Sequence, residues 1–403
     1  MMKVIKDIKA IAEVLHLDVY IVGGYIRDKL IGVKYETKNL DIIIKNNIEE
    51  FIEKLKAKGY VILSFDNNLK EYKMTYEGKI LNIKKAKGNT IEDDLASRDF
   101  TMDSICINLK NNQIIDPFKG RLHIKRRIIQ EVNNESIKND PIRILRAIRF
   151  YIKYGMHFSA YTEVNIRNQA NNILNCSPNL IESEVMSTIH NDEGGVFFEL
   201  ADQFYVLKEL IPYVDELKKI GKCRYHAVDA FTHMNTAYHV FKDIQKGYLK
   251  IEGVNLDSLK RNSGDYDALD YLAFGIFVHD IGKYESYKKD GDKISFKGHD
   301  IAGFNIITKV CDNLGFSTVG KELVCCIVKN HMYPLSIFKK NTKDYKNEFY
   351  NFFDEFKEKS PYLIIASFCD VYATKMYLDV ESEKNEYRDF IKSMFIEYEN
   401  YIK

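Results

Sequence analysis

Apolar residues recur at helical spacing from the first turns of the chain. Val4, Ile5, Ile8, Ile11 and Leu15 predict a helix over 3–16. Val19–Val22 reads as a short strand, broken by Gly23-Gly24, and a helical run follows towards Leu30. Leu40–Ile44 is apolar and β-branched, so it is a predicted strand. Val61–Phe65, Lys79–Ile83 and Ser104–Asn108 are further predicted strands. This alternation makes the chain as far as about residue 120 an α/β or α+β domain. From Asn139 the period changes, and long helical patterns run to the C-terminus, which predicts an all-α region. Inside it, polar Gly247–Leu269 with Asn262-Ser-Gly-Asp265 reads as a loop or hinge, and Tyr287–Lys297 as a loop or small hairpin. The acidic, Tyr-rich tail Glu381–Tyr401 reads as a surface helix.

A chain of 403 residues has room for two or three domains. Lys+Arg 59 against Asp+Glu 58 gives a net charge of +1, so any nucleic-acid site must be a local patch. The seven cysteines (Cys106, Cys176, Cys223, Cys311, Cys325, Cys326 and Cys369) are odd in number and form no Cys-x-x-Cys pair. That excludes a zinc ribbon and a disulfide scaffold. The charged, amphipathic start lacks the features of a signal peptide, and no apolar run is long enough for a membrane span. Reduced thiols and no export signal lead us to expect a cytoplasmic protein without membrane association.

Chemistry gathers first around Ile21-Val-Gly23-Gly24-Tyr-Ile-Arg27-Asp28. Two glycines at a strand-to-helix turn let the backbone approach a bulky anion, and Arg27 can pair with a phosphate. Taken alone, such a turn is more often structural. Asn39 and Asp41 share one face of the next strand, as metal ligands would or as a strand-edge Asp would. Ser97-Arg98-Asp99-Phe100-Thr101-Met102-Asp103 follows, then Asp116-Pro117-Phe118-Lys119-Gly120. In Asn139-Asp140-Pro141-Ile142-Arg143, Asp140 suits an N-cap and Pro141 a first turn. Asp140, Arg143 and Arg146 lie on one helix face, and Arg149 extends the row. The arginines read as a solvated stripe or as ligands of nucleotide or RNA.

In this order the motifs resemble the class II tRNA nucleotidyltransferase and poly(A) polymerase family over roughly residues 15–215. The resemblance implies a polymerase-β-like nucleotidyltransferase head and a helical neck. It implies that Gly23, Gly24, Arg27 and Asp28 form the triphosphate site and that Arg98 and Asp99 hold ribose and phosphates. Asp140 and Arg143 would read the incoming base of CTP or ATP, with Arg146 and Arg149 beside them, and Asp41 with position 39 would form the catalytic Mg²⁺ centre. The family has Asp-x-Asp where this chain has Asn39-Leu-Asp41, and a later carboxylate position is Asn82. The first Arg of its Arg-Arg-Asp motif is Ser97, the Glu before Asp140 is Asn139, and the Asn of Phe-Thr-x-Asn is Asp103. An amide brings no charge to Mg²⁺, so these losses predict a weakened or inactive transferase.

The C-terminal half carries His226, His233, His279-Asp280-Ile-Gly282-Lys283, His299, His331 and Asp370. A His-Asp pair closing an apolar helix is costly to bury unless paired or metal-bound. Imidazole and carboxylate donors suit Mn²⁺, Fe²⁺, Co²⁺, Ni²⁺ or Zn²⁺ better than Mg²⁺. The pattern resembles the HD superfamily of metal-dependent phosphohydrolases over about 222–385. That resemblance implies His233, His279, Asp280 and Asp370 as metal ligands and His299 and His331 at a second metal or a phosphate, with Lys283 a phosphate partner.

The expected organisation is thus α+β: a head at 1–125, an all-α neck at 126–215 and an all-α HD domain with C-terminal helices at 216–403. The expected activity is template-independent nucleotide addition from CTP or ATP to an RNA 3′ end, foremost the tRNA CCA end, beside an HD phosphohydrolase activity. The alternative is an HD phosphohydrolase whose head only binds nucleotide or RNA. Short basic runs at Lys54–Lys58, Lys84–Lys87 and Lys125–Arg127 read as solvated faces, although the last two flank the region where an acceptor stem could lie.

Overall fold

The computed structural model describes the chain except residues 35–37, 69, 223–226, 264–265, 292, 341–344 and 377–380. His226 and Cys223 lie outside the described residues. The chain forms two compact units, one of residues 1–143 and 154–169, the other of 144–153 and 170–403.

The first unit is built on a mixed sheet. Its strands are β1 (Val19–Val22), β2 (Asn39–Ile44), β3 (Val61–Asp66), β4 (Glu71–Tyr76), β5 (Lys79–Lys85), β6 (Cys106–Asn108) and β7 (Ile114–Ile115). Their order is β3-β4-β5-β2-β1-β6-β7. Only β2 and β5 pair in parallel; the other neighbours are antiparallel. Leu40, Ile42, Ile43 and Ile44 of β2 are fully buried, as β-branched residues of a central strand should be. Helices α1 (Met2–Val14), α2 (Gly24–Ile31), α3 (Ile48–Ala57), α4 (Ile91–Ala96) and α5 (Gly120–Lys125) surround the sheet. In α3, Ile48, Phe51, Ile52 and Leu55 form a buried stripe at helical spacing. On the face where α4 packs, Tyr20, Val22, Ile43, Ile91, Leu95 and Cys106 form one apolar cluster. A capping box at Thr90 and Asp93 fixes where α4 starts.

The predicted strands are all present, and α3, α4, α5, β4 and β7 are additions to the elements predicted. In β4 only Met74 is fully buried, so its pattern is too polar to stand out.

The second unit is helical apart from two short antiparallel pairs, Asn262–Ser263 with Tyr266–Asp267 and Lys288–Asp290 with Lys293–Ser295. The second of these is the hairpin expected within Tyr287–Lys297. The segment Gly247–Leu269 also holds a short helix, Leu256–Leu259. At the centre lies helix Ala268–Val278, every residue of which is buried. An all-round apolar helix belongs in the middle of a bundle. Helices Pro178–Asn191, Ala230–Lys246, Thr318–Asn330 and Ser360–Met376 pack around it. Among the described residues no helix is long and apolar enough to cross a membrane.

The tail is a helix as predicted, Glu381–Tyr401, but it is not simply a surface element. Tyr387, Phe390, Ile391, Met394 and Phe395 are buried at i, i+3, i+4, i+7 and i+8. This apolar stripe was masked by the acidic residues around it. Replacing Ile391 by Ala should therefore cost about 2–5 kcal/mol through the cavity it leaves. Ile402→Ala, at a position 62% exposed, should stay within about 0.5 kcal/mol. Urea unfolding of the two variants checks this, and equal midpoints would contradict the buried face.

Candidate nucleotide site and candidate metal centre

In the first unit, β1 ends in Gly23, whose φ of +68° is the left-handed conformation that favours glycine. A Cβ there would lie 3.1 Å from Arg98 Nη1 and 3.4 Å from Asp41 Oδ2. The glycine turn, the Asp41 carboxylate and the Arg98 guanidinium thus meet at one point. Register explains why: Val22 lies opposite Asp41, and Asp41 opposite Asn82.

Residues 39, 41 and 82 share one face of the sheet, as the sequence reading required of the first two. Asn82 lies beside Asp41 on the parallel neighbour β5. Its Nδ2 donates to Asp41 Oδ1 at 2.8 Å, and its next neighbour across the sheet is Lys73 on β4. The row therefore reads carboxylate, amide, ammonium. This donor set does not fit a centre in which several carboxylates hold two Mg²⁺ ions close together.

Arg27 and Asp28 face inward. Arg27 pairs with Asp103 at 2.6 Å and with Asp28 at 2.9 Å, and all three side chains are buried. Tyr154 donates its hydroxyl to Asp28 at 2.8 Å and stacks its ring 4.9 Å from the guanidinium. Burial alone would weaken the Arg27 charge, but Asp103, Tyr154 and Asp28 more than restore it and raise its pKa. Asp103 and Tyr154 went unnoticed as partners, because nothing in their spacing links them to the glycine turn.

Arg98 is more open. It pairs with buried Asp94 at 3.3 Å while Nη1 reaches towards Gly23. Asp99 turns inward, where it accepts the Phe100 N–H. Arg143 is a clamp: it donates to the carbonyls of Ser97 and Arg98, at 2.9 and 3.0 Å, and to Ser136 Oγ at 2.8 Å. Its Nε meets Asp140 at 3.3 Å, and the Asp140 side chain stays 48% exposed. Asp140 thus offers the free edge of the pair. In the second unit, Arg146 and Arg149 both pair with Glu184, at 3.5 and 2.7 Å.

The second unit holds a buried cluster of histidines and carboxylates. His279 directly follows the central helix, and His331 directly follows helix Thr318–Asn330. His299 opens helix His299–Leu314. Each of these rings gives its Nδ1–H to the carbonyl three positions earlier: Ile276, Val328 and Phe296. In His279 and His331 this also satisfies carbonyls that a helix end leaves open. Every Nε2 is then aimed at Asp280, the arrangement that fixes a metal-binding tautomer.

His233 Nε2 lies 2.9 Å from Asp370 Oδ1, 3.2 Å from His279 Nε2 and 3.4 Å from Asp280 Oδ2. His279 Nε2 lies 3.2 Å from Asp280 Oδ2 and 3.5 Å from Asp370 Oδ1. Donor atoms about 2.1 Å from one ion must lie roughly 3.0–3.4 Å from each other. These spacings fit a single ion. Asp280 Oδ1 faces away, 3.3 Å from His299 Nε2 and 3.9 Å from His331 Nε2, and those two nitrogens are 3.3 Å apart. Asp280 therefore belongs to two groups of donors. Lys283 Nζ rests on Asp280 Oδ2 at 2.5 Å, with the Phe296 ring 5.4 Å away.

Electrostatics supports this assignment. Burial disfavours charge on Asp280 and Asp370, yet the cations and imidazoles around them hold both well below the usual carboxylate range. Burial also opposes a charge on His279, but Asp280 and Asp370 outweigh it and raise the ring to about 10. Burial together with His279 and His299 pushes His331 down to about 3. The site thus keeps two carboxylates ionised and holds a proton where a divalent cation would sit. A Cβ on Gly282 would come within 2.0 Å of the His299 carbonyl, so the loop after Asp280 lies directly against the start of that helix.

Two family models match. One, described as the poly A polymerase head domain, covers residues 19–130; the other, the HD domain, covers 247–375. Both domain types are metal-dependent. His233 lies before the matched HD range, although it completes the cluster. A multifunctional CCA protein of Acinetobacter baumannii is 24% identical over 337 residues, 78% of this chain and 74% of that protein. An A-adding tRNA nucleotidyltransferase of Deinococcus radiodurans is 24% identical over 252 residues, 61% of this chain and 53% of that protein. The fold is that of a CCA-adding enzyme solved with CTP, with a TM-score of 0.67 at 19% identity over 99% of this chain and 83% of the other. A Thermotoga maritima CCA-adding enzyme complexed with tRNA gives 0.63 at 17% identity, over 100% and 95%.

The shared carboxylate yields a graded expectation. After dialysis against Mn²⁺, the protein should retain two ions per chain, His331→Ala one, and Asp280→Ala none. Metal analysis by plasma mass spectrometry reads this directly. Full occupancy in Asp280→Ala would show that Asp280 does not hold the ions.

Proposed function

We propose that this chain, which belongs to the tRNA nucleotidyltransferase and poly(A) polymerase family and carries an HD domain, adds nucleotides from CTP and ATP to the 3′ end of tRNA. The convergence of the Gly23 turn, Asp41 and Arg98 carries this reading. In the reaction, the RNA 3′-oxygen bonds to the α-phosphorus as the bond to pyrophosphate breaks. The glycine turn lets the triphosphate approach the backbone, and Arg98 balances its charge. Asp41 is the residue that would hold a Mg²⁺ ion bound to the triphosphate, which would supply positive charge against the leaving pyrophosphate. Arg143 holds Ser97 and Arg98 in place, and the exposed edge of Asp140 can select the base by hydrogen bonding. The site of action is the cytoplasm, where tRNA is processed.

The HD cluster adds a phosphohydrolase. Its histidines and aspartates would hold Mn²⁺, Co²⁺, Ni²⁺ or Fe²⁺, which when bound activates water for attack on a phosphoester. Lys283, buried beside Asp280, is placed to meet a phosphate oxygen. The substrate class is a phosphomonoester or a cyclic phosphodiester.

One observation favours a second reading, in which the head binds nucleotide or RNA and the HD centre alone is catalytic. The Asn82 amide occupies an oxygen of Asp41, and Asn39 leaves that carboxylate without a charged companion. The relatives favour the first reading.

A tRNA transcript lacking CCA, labelled CTP or ATP and Mg²⁺ separate the two. Each missing carboxylate weakens transition-state stabilisation, and about 1.4 kcal/mol is tenfold in rate, so we expect addition about 10²–10⁴ slower than typical nucleotidyl transfer. Asn39→Asp should raise the rate, and Asn39→Asp with Asn82→Glu should raise it further. Fast addition by the natural sequence would show that the amides do not limit the reaction. No addition by either variant would favour the second reading. Arg143→Ala should lose discrimination among nucleotides more than it loses stability, which nucleotide-binding titrations and thermal melts compare.

A further inference from the structure

A net charge of +1 requires any nucleic-acid contact to be local. The structure shows how most arginines are neutralised. Arg27, Arg98, Arg143, Arg146, Arg149, Arg167 and Arg261 each pair with a carboxylate. One cluster is different. The segment Lys119–Arg127 holds Lys119, Arg121, Lys125, Arg126 and Arg127 and no acidic residue. Among the described residues, none of Arg121, Lys125, Arg126 and Arg127 has a carboxylate partner. Asp116, close by in sequence, spends its oxygens on the N–H groups of Gly120 and Arg121, at 2.6 and 3.0 Å.

These cations border a cavity of about 510 Å³ in the first unit. Arg121, Lys125 and Arg127 supply its charge, and Leu30, Leu122 and Met156 are among its apolar walls. No described carboxylate lines it. Leu30 and Leu122 are 40% and 39% exposed, so apolar surface is left open between positive charges. The cavity lies at the C-terminal end of α2, whose first turn carries the glycines of the nucleotide site. That helix is about 12 Å long at 1.5 Å per residue.

We propose that this pocket is a second RNA contact on the head. Phosphates of the RNA strand rest on Arg121, Lys125 and Arg127, and one unpaired base lies on the floor of Leu30, Leu122 and Met156. A nucleotide supplies both parts that the pocket asks for, an anion and a flat apolar ring. An acidic protein segment would meet the cations but bring nothing flat to the floor. The inference rests on the reading of this chain as an RNA-acting protein. It revises the assignment of Lys125–Arg127 as a solvated face.

The test is fluorescence anisotropy with the full chain and two probes, a labelled tRNA transcript lacking CCA and a labelled single-stranded RNA. Arg121→Ala with Lys125→Ala and Arg127→Ala should weaken binding of both at least tenfold at low salt. It should also lower the slope of log K against log salt by about 2, since each lost phosphate contact removes about 0.7–0.9. Leu122→Ser should weaken the single-strand probe severalfold with no change of slope. Lys288→Ala with Lys289→Ala, on the hairpin of the second unit, should change neither. If the triple variant has an intact circular dichroism spectrum and binds both probes as the natural protein does, the pocket is not an RNA contact. If polyglutamate displaces RNA from the natural protein as well as unlabelled RNA does, the pocket belongs to an acidic partner and the proposal falls. If the natural protein binds neither probe, the RNA reading fails as a whole. If it binds RNA and only the triple variant is silent in effect, this inference alone fails.

Discussion

Asp280 and Asp370 place two carboxylates among almost fully buried side chains, and the second unit is organised around that expense. A buried carboxylate survives only if donors surround it. The central helix delivers His279 and Asp280 together at its end, helix Ala230–Lys246 delivers His233, and Ser360–Met376 delivers Asp370. Each histidine after a helix end is locked by a carbonyl of its own chain. Apolar packing around the central helix holds these three sources in register. The cluster of donors is thus a property of the bundle and not of one loop.

The head solves a different problem with the same means. Three of its arginines, Arg27, Arg98 and Arg143, are spent on internal carboxylates. Arg27 stitches α2 to the Asp103 turn, and Arg143 stitches the start of its helix to residues 97 and 98. These bonds set the frame in which Arg98 and Asp41 come to lie beside Gly23. The frame is complete although positions 39 and 82 beside Asp41 carry amides. Scaffold and site charge are carried by different residues.

Much of this was legible in the sequence. Spacing alone located β1, β2, β5 and the helical half, since buried strands and amphipathic helices impose periods that no surface requirement disturbs. The His-Asp pair announced itself by closing a helix that is apolar all round. Other parts were hidden for physical reasons. β4 alternates weakly because only Met74 enters the core. The tail helix hides its stripe among acidic residues. Arg27, Asp28, Asp103 and Tyr154 come from distant positions, and only folding reveals that they neutralise one another. A motif match suggested that Arg27 and Arg149 meet a nucleotide; burial and Glu184 show that such arginines also have structural partners.

His233 stands on helix Ala230–Lys246, ahead of the segment that the HD family model covers. The donor cluster and the matched module therefore do not share a boundary. A fragment cut at residue 247 would keep His279, Asp280, His299, His331 and Asp370 but lose one of the four members of the first donor group. It would also expose the face of the central helix on which Phe231, Tyr238 and Phe277 pack edge to edge. Anyone grafting this centre onto another protein must carry the preceding helix with it, so the transferable unit is larger than the one that sequence matching delimits.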